Sequence, residues 1–147
     1  MAKEPLLISG CLLGLACRSD GGRKPMAPET LARLTDRYAL IPACPEQLGG
    51  LETPRAPSER RGDRVVMNTG TDVTAQYTRG AEQTLYLAKL FNCSKALLKE
   101  RSPSCGSGTI YDGSFSGTLT AGDGLTARLL KQHGISVFGE SEVEQLL

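Results

Sequence analysis

The chain has no tryptophan, a single histidine, His133, and only 5% aromatic residues in its 147. With one imidazole, placed at the end of a predicted helix, a Cys–His nucleophilic pair is not favoured. The local H-x-E and P-C-x-x-C pairing of zinc deaminases is also missing. No apolar run approaches the roughly 20 residues that span a bilayer. An excess of one charge is lacking too: 17 Lys and Arg stand against 16 Asp and Glu, for a net charge of +1. A protein that coats a nucleic-acid backbone is normally far more basic, so general nucleic-acid binding is disfavoured. The 17 Gly and 8 Pro show no G-X-Y period, which excludes collagen. What is present is an ordinary globular balance, 39% apolar and 22% charged, which excludes a disordered chain. The length predicts one domain over residues 1–147. Glu4 and Pro5 stand where a signal peptide carries its basic region. The apolar stretch behind them therefore reads as a strand, and the expected location is the cytoplasm, with no membrane partner. Five cysteines in that setting, an odd number, argue against a disulfide framework. Buried thiols, a reactive thiol or metal ligands are the remaining uses.

Pro5 to Gly10 is a short apolar run without helical period and reads as a buried strand. A Gly- and Pro-rich loop follows to Pro28, where a short helix starts, with Leu31, Leu34 and Tyr38 on one face. Tyr38 to Ala43 reads as a second buried strand, despite Pro42. Glu46 to Arg64 is the least regular stretch, with a brief strand expected at Val65–Met67. Asp72 is a plausible N-cap for a long helix from about Val73 to Cys93, with Val73, Tyr77, Ala81, Leu85, Ala88 and Phe91 on one face. Lys95 to Lys99 reads as a third strand, followed by a loop and a Gly- and Ser-rich stretch from Gly106 to Gly124. A helix over about Leu125–His133, a fourth strand over Ile135–Phe138, and a last helix with a Ser141–Glu144 capping box complete the chain.

Strands alternating with helices predict an α/β fold: a mostly parallel sheet flanked by helices, Rossmann-like or flavodoxin-like. In such sheets ligands bind beyond the carboxyl ends of the strands. Cys11, Cys44 and Cys105 each follow a predicted strand end, at its break or close to it. No local spacing joins them, so only the fold brings them together. Three thiolates are soft-metal ligands suited to an iron–sulfur cluster or zinc, and three in place of four leave one metal position open. Glu46, two residues after Cys44, is placed to act as general acid or base. Ser102 and Ser104 precede Cys105 and offer hydrogen bonds, and Gly106 allows close backbone approach.

Cys11-Leu12-Leu13-Gly14 with Cys17-Arg18-Ser19-Asp20-Gly21, Cys44-Pro45-Glu46-Gln47-Leu48-Gly49-Gly50-Leu51 with Pro54, Arg55, Pro57 and Glu59, and Ser102-Pro103-Ser104-Cys105-Gly106 together resemble the thiouracil desulfidase family. Gly70-Thr71-Asp72-Val73-Thr74 and Tyr111-Asp112-Gly113 with Phe115-Ser116-Gly117-Thr118-Leu119 extend the likeness over nearly the whole chain. The resemblance implies a 4Fe–4S cluster held by Cys11, Cys44 and Cys105, with one iron left open. It implies non-redox removal of sulfur from a thiolated pyrimidine such as 2-thiouracil, giving uracil and hydrogen sulfide. Glu46 and Ser102 match the positions that assist catalysis, with Glu46 helping water attack and Ser102 helping move a proton. Ser104, Gly106, Asp20 and Arg55 are the candidate substrate-binding residues. Ser19 departs from the pattern, standing where an aromatic is common.

Blander readings accompany these. A lone Cys is more often a small buried hydrophobe than a ligand; Cys93 reads that way, and Cys17 reads as a neighbouring thiol, a loop anchor or a fourth ligand. The Arg55–Arg64 stretch reads as a solvated face, or as a segment closing over the site or meeting an anionic group. Tyr77 reads as core, Asp72 as a cap, and Asp20 and Asp112 as turn residues. Two other function classes use the same thiols: a zinc hydrolase, and a non-catalytic metal- or redox-sensing protein. Cluster colour separates iron from zinc, and sulfide release separates an enzyme from a sensor.

Overall fold

A strand that is apolar on both faces needs cover on both sides, and the N-terminal run has it. The computed structural model describes residues 2–147. In chain order its elements are β1 (Glu4–Ser9), a 3₁₀ turn (Gly10–Leu13), α1 (Pro28–Arg37), β2 (Tyr38–Ala43), α2 (Pro45–Leu48), β3 (Ser58–Arg61) and β4 (Arg64–Met67). There follow α3 (Thr74–Leu90), β5 (Lys95–Leu98), β6 (Thr109–Tyr111), β7 (Leu119–Ala121), α4 (Leu125–Gln132), β8 (Ser136–Gly139) and a closing 3₁₀ segment (Glu140–Leu146). Strands β2, β1, β5 and β8 form, in that order, a parallel four-stranded sheet. Successive side chains alternate between its faces. Leu7, Ala96 and Leu98 pack with Leu85, Ala88, Ala127 and Leu130 from α3 and α4. Leu6, Ile8 and Leu97 pack on the other face with Leu34 of α1 and Leu146. The α/β expectation therefore holds, with helices on both faces.

The chain leaves β1 for β2 on one side and returns to β5 on the other. The topological switch point, where such sheets open a crevice, thus lies between β1 and β5. Pro42 is tolerated because β2 is an edge strand, whose outward N–H groups have no partner to lose.

Several local expectations need correction. Tyr38 opens β2 and is not part of the α1 face. The stretch read as irregular contains α2 and β3, the latter paired with β4. The Gly- and Ser-rich stretch contains the β6–β7 hairpin. Both hairpins lack the apolar alternation that marks a half-buried strand. Phe91 lies past the end of α3 and is 45% exposed. The Ser141–Glu144 capping box does not form. The closing segment starts at Glu140, and Glu142 reaches back to the Gly139 N–H at 3.0 Å. Ser141 instead binds Glu100, and Glu144 pairs with Arg33. The N-cap position of α3 falls to Val73, one residue later than expected; Asp72 stands just before it and accepts the Thr74 N–H at 2.9 Å. Among the described residues no helix is long and apolar enough to cross a membrane.

Candidate metal centre

Each of the three thiols is delivered by a different strand end. Cys11 sits in the 3₁₀ turn that follows β1, anchored by buried Leu12. Cys44 is the residue between β2 and α2, where Pro45 supplies the fixed φ of a first helical position. Cys105 lies in the loop after β5. There the Ser102 hydroxyl accepts the N–H groups of Ser104 and Cys105, both at 3.0 Å. The Ser104 carbonyl in turn accepts the N–H groups of Thr126 and Ala127 at the start of α4, satisfying donors a helix end leaves free. Cys11, Cys17, Cys44 and Cys105 line one cavity of about 550 Å³, together with Glu46, Arg55, Tyr77 and Ser102. That size is ordinary for a small-molecule site.

The thiols sense one another. Burial pushes Cys11 up to about 11, and the neighbouring Cys44 adds to it. Burial pushes Cys105 up to about 12, while hydroxyls from Ser9 and Ser104 pull it back. Cys17 is raised by burial and then by Cys44. Metal loading must displace such protons, because the ligand is the thiolate. No three Cys, His, Asp or Glu side chains among the described residues converge tightly enough to grip one ion. Zinc draws its sulfur ligands to about 2.3 Å from a single point, whereas a cluster gives each cysteine its own iron. Three cysteines from three separate segments, lining one cavity, suit a cluster that gives each its own iron. The hydroxyls on Cys105 Sγ, Ser9 at 3.3 Å and Ser104 at 3.6 Å, are the kind of hydrogen bond that tunes cluster sulfur.

Glu46, in the first turn of α2, is the carboxylate of the cavity wall that follows directly on a cysteine; Glu59 and Glu100 line the same cavity. Its Oε1 accepts the Tyr77 hydroxyl at 2.7 Å and Arg55 Nε at 3.0 Å. Its Oε2 faces the Ser104 hydroxyl at 3.3 Å. Ser102 and Ser104 hydroxyls lie 2.9 Å apart, so an unbroken line of polar atoms joins Ser102 to Glu46. Burial, then the Glu46 charge, pushes the Tyr77 phenol far above its usual range, which keeps it a donor.

The other sequence candidates fall differently. The Arg55 side chain is 4% exposed and Glu59 is buried, whereas Asp63 and Arg64 stand open, so the solvated-face reading holds only for the far end of this stretch. It binds Glu46, the Cys17 carbonyl at 2.9 Å and Thr53. Ser104 is buried behind Glu46 and Cys105, and Gly106 closes its own turn through an N–H bond to the Ser102 carbonyl. Asp20 faces solvent, paired with Arg18 and the Gly22 N–H, and is not part of the cavity wall. Ser19 contributes its carbonyl, which accepts the Arg55 N–H at 2.8 Å; that contact is indifferent to the missing aromatic side chain. Cys93 is core, as expected.

Sequence reasoning missed two residues. Ser9 accepts the Lys99 N–H while donating to Cys105, tying the β1 end to the β5 loop. Its signal was a polar residue closing an otherwise apolar strand. Tyr77 was read as core, and its ring is core, but its hydroxyl belongs to the site.

A parallel α/β sheet with cysteines gathered around its switch point defines a class of protein with a thiol-lined cavity beside a carboxylate. Comparison with known proteins narrows it. The model of the 2-thiouracil desulfurase family matches residues 6–142. The uncharacterised protein YbbK of Bacillus subtilis (strain 168) is 45% identical over 152 residues, covering 97% of this chain and 99% of YbbK. The solved structure of a [4Fe-4S]-dependent thiouracil desulfidase, TudS, is similar at 48% identity with a TM-score of 0.93, covering 98% of this chain and 95% of that one. The chain belongs to the 2-thiouracil desulfurase family.

Proposed function

We infer that the chain is a [4Fe-4S]-dependent desulfidase that removes sulfur from a thiolated pyrimidine such as 2-thiouracil. Water replaces the sulfur, so thiouracil and water give uracil and hydrogen sulfide with no net redox change. The observation that carries this reading is the gathering of Cys11, Cys44 and Cys105 with Glu46 in one cavity, in a chain of this family. Those three cysteines would hold the cluster, and a cluster with three protein ligands supplies an open iron, a thiophilic Lewis acid that accepts the substrate sulfur. Glu46 takes the proton of the water that attacks the thiocarbonyl carbon. Ser102, whose oxygen already accepts two N–H groups, keeps its proton free for Ser104 or for a bound base. Ser9 and Ser104 supply hydroxyls to Cys105 Sγ. Cys17 lines the same cavity, with its carbonyl held by Arg55, and serves as a wall of the site. The partner is a small thiolated pyrimidine.

The test is anaerobic cluster reconstitution followed by sulfide release from thiopyrimidines and thionucleosides. A brown protein with about four irons per chain, releasing sulfide with matching formation of the oxo-pyrimidine, is the expected result. A colourless zinc protein, or an iron-loaded one that releases no sulfide from any of them, overturns the reading.

A further inference from the structure

We propose that Tyr77 is a positioning residue for Glu46: its hydroxyl fixes which carboxylate oxygen is free to take the proton. The inference rests on the desulfidase reading above. Tyr77 is 1% exposed, in a core cluster with Val65, Val73, Ala81 and Leu125. A phenylalanine would fill that space, so the hydroxyl needs another reason. A buried tyrosine hydroxyl seeks a partner, and this one donates to Glu46 Oε1 at 2.7 Å. Arg55 Nε donates to the same oxygen at 3.0 Å. The other oxygen, Oε2, receives at most the Ser104 hydroxyl at 3.3 Å, whose one proton also faces Cys105 Sγ at 3.6 Å. The load is therefore uneven: Oε1 is occupied, and Oε2 keeps its capacity to accept.

The helix geometry explains why the phenol can reach. One turn beyond Tyr77, a Cβ on Gly80 would lie 1.9 Å from the Pro45 carbonyl oxygen, and one on Gly49 would lie 2.0 Å from the Gln76 oxygen. The backbones of α2 and α3 thus touch through two glycines. This contact seats the helix that carries Glu46 directly on the helix that carries Tyr77. Arg55, by contrast, comes from a loop and is itself held by Glu52, Thr53 and Cys17. Tyr77 is the donor to Glu46 that a long helix holds rigid.

The experiment compares cluster-loaded wild type, Tyr77→Phe, Glu46→Ala and the double variant. For Tyr77→Phe, kcat for sulfide release falls about tenfold or more, while KM, iron content and the cluster absorbance stay at wild-type values. In urea unfolding, the shift of the double variant falls short of the sum of the two single shifts, because both singles break one bond. Wild-type kcat in Tyr77→Phe overturns the inference, as do loss of iron in step with activity and additive unfolding shifts. A wild type that releases no sulfide overturns the desulfidase reading, and this inference with it; an active wild type with an equally active Tyr77→Phe overturns the inference alone.

Discussion

The two walls of the cavity are built on different principles. The sulfur wall comes from strand ends: Cys11 after β1, Cys44 after β2, Cys105 in the loop after β5. A parallel sheet lays those ends side by side, so the thiols converge wherever the loops point. The acid wall comes from hydrogen bonds between distant segments. Glu46 of α2 is held by Tyr77 of α3, by Arg55 from a loop and by Ser104 from the cysteine loop. The sheet supplies position on one side, and specific polar contacts supply orientation on the other. On the proposed function, removing one thiol is expected to take away the metal, and loosening the acid only the chemistry.

Substitution can break that contrast. Cys11→Ser, Cys44→Ser and Cys105→Ser each abolish the cluster and all turnover, read as loss of iron and of the brown absorbance, which stands clear because the chain has no Trp and four Tyr. Cys17→Ser keeps its iron; loss of the cluster in that variant would move Cys17 onto the sulfur wall as a ligand. Next in size, Glu46→Ala retains the cluster spectrum and loses at least about 100-fold in kcat, and a fully active variant removes Glu46 from the mechanism. Gly80→Ala forces α2 off α3 and destabilises by about 1–3 kcal/mol, read as a lower melting temperature together with reduced kcat. A silent Gly80→Ala would show that the acid wall needs no close helix contact.

The smallest effect tests an exposed charge that is not part of the cavity wall. Hydrogen bonds from Thr74, then from Arg64, hold the exposed Asp72 carboxyl at about 2 against an ordinary 3.8. The unfolded chain takes up that proton first as pH falls. The contribution of these bonds is therefore present above about pH 4 and is lost as pH drops toward 2. Asp72→Asn flattens this part of the acid-unfolding curve without changing sulfide release at neutral pH. An unchanged acid limb would mean that the carboxylate adds nothing to α3.

The three longest helices were legible because apolar residues recur at helical spacing, and the four sheet strands because each is a short, nearly unbroken apolar run. Phe91 and Ser141 show the limit of that signal: a residue in phase with a helix can lie past its end, and a matching pair can find better partners elsewhere. Of the two hairpins only β4 was legible, as the brief strand at Val65–Met67; β3 is rich in charge, and β6 and β7 are short and joined by a Gly- and Ser-rich turn. Both hairpins owe their strands to pairing and contacts made across the chain.

By itself the amino-acid sequence determined the α/β alternation, the three cysteines at strand ends and the acid beside the second of them. These are local patterns, and short-range sterics and burial write them into the order of residues. Only the tertiary structure decided that Arg55 is buried against Glu46, that Asp20 stays in solvent, and that Ser9 and Tyr77 complete the site. Those outcomes depend on hydrogen bonds between segments far apart along the chain, and such bonds leave no periodic trace in either partner.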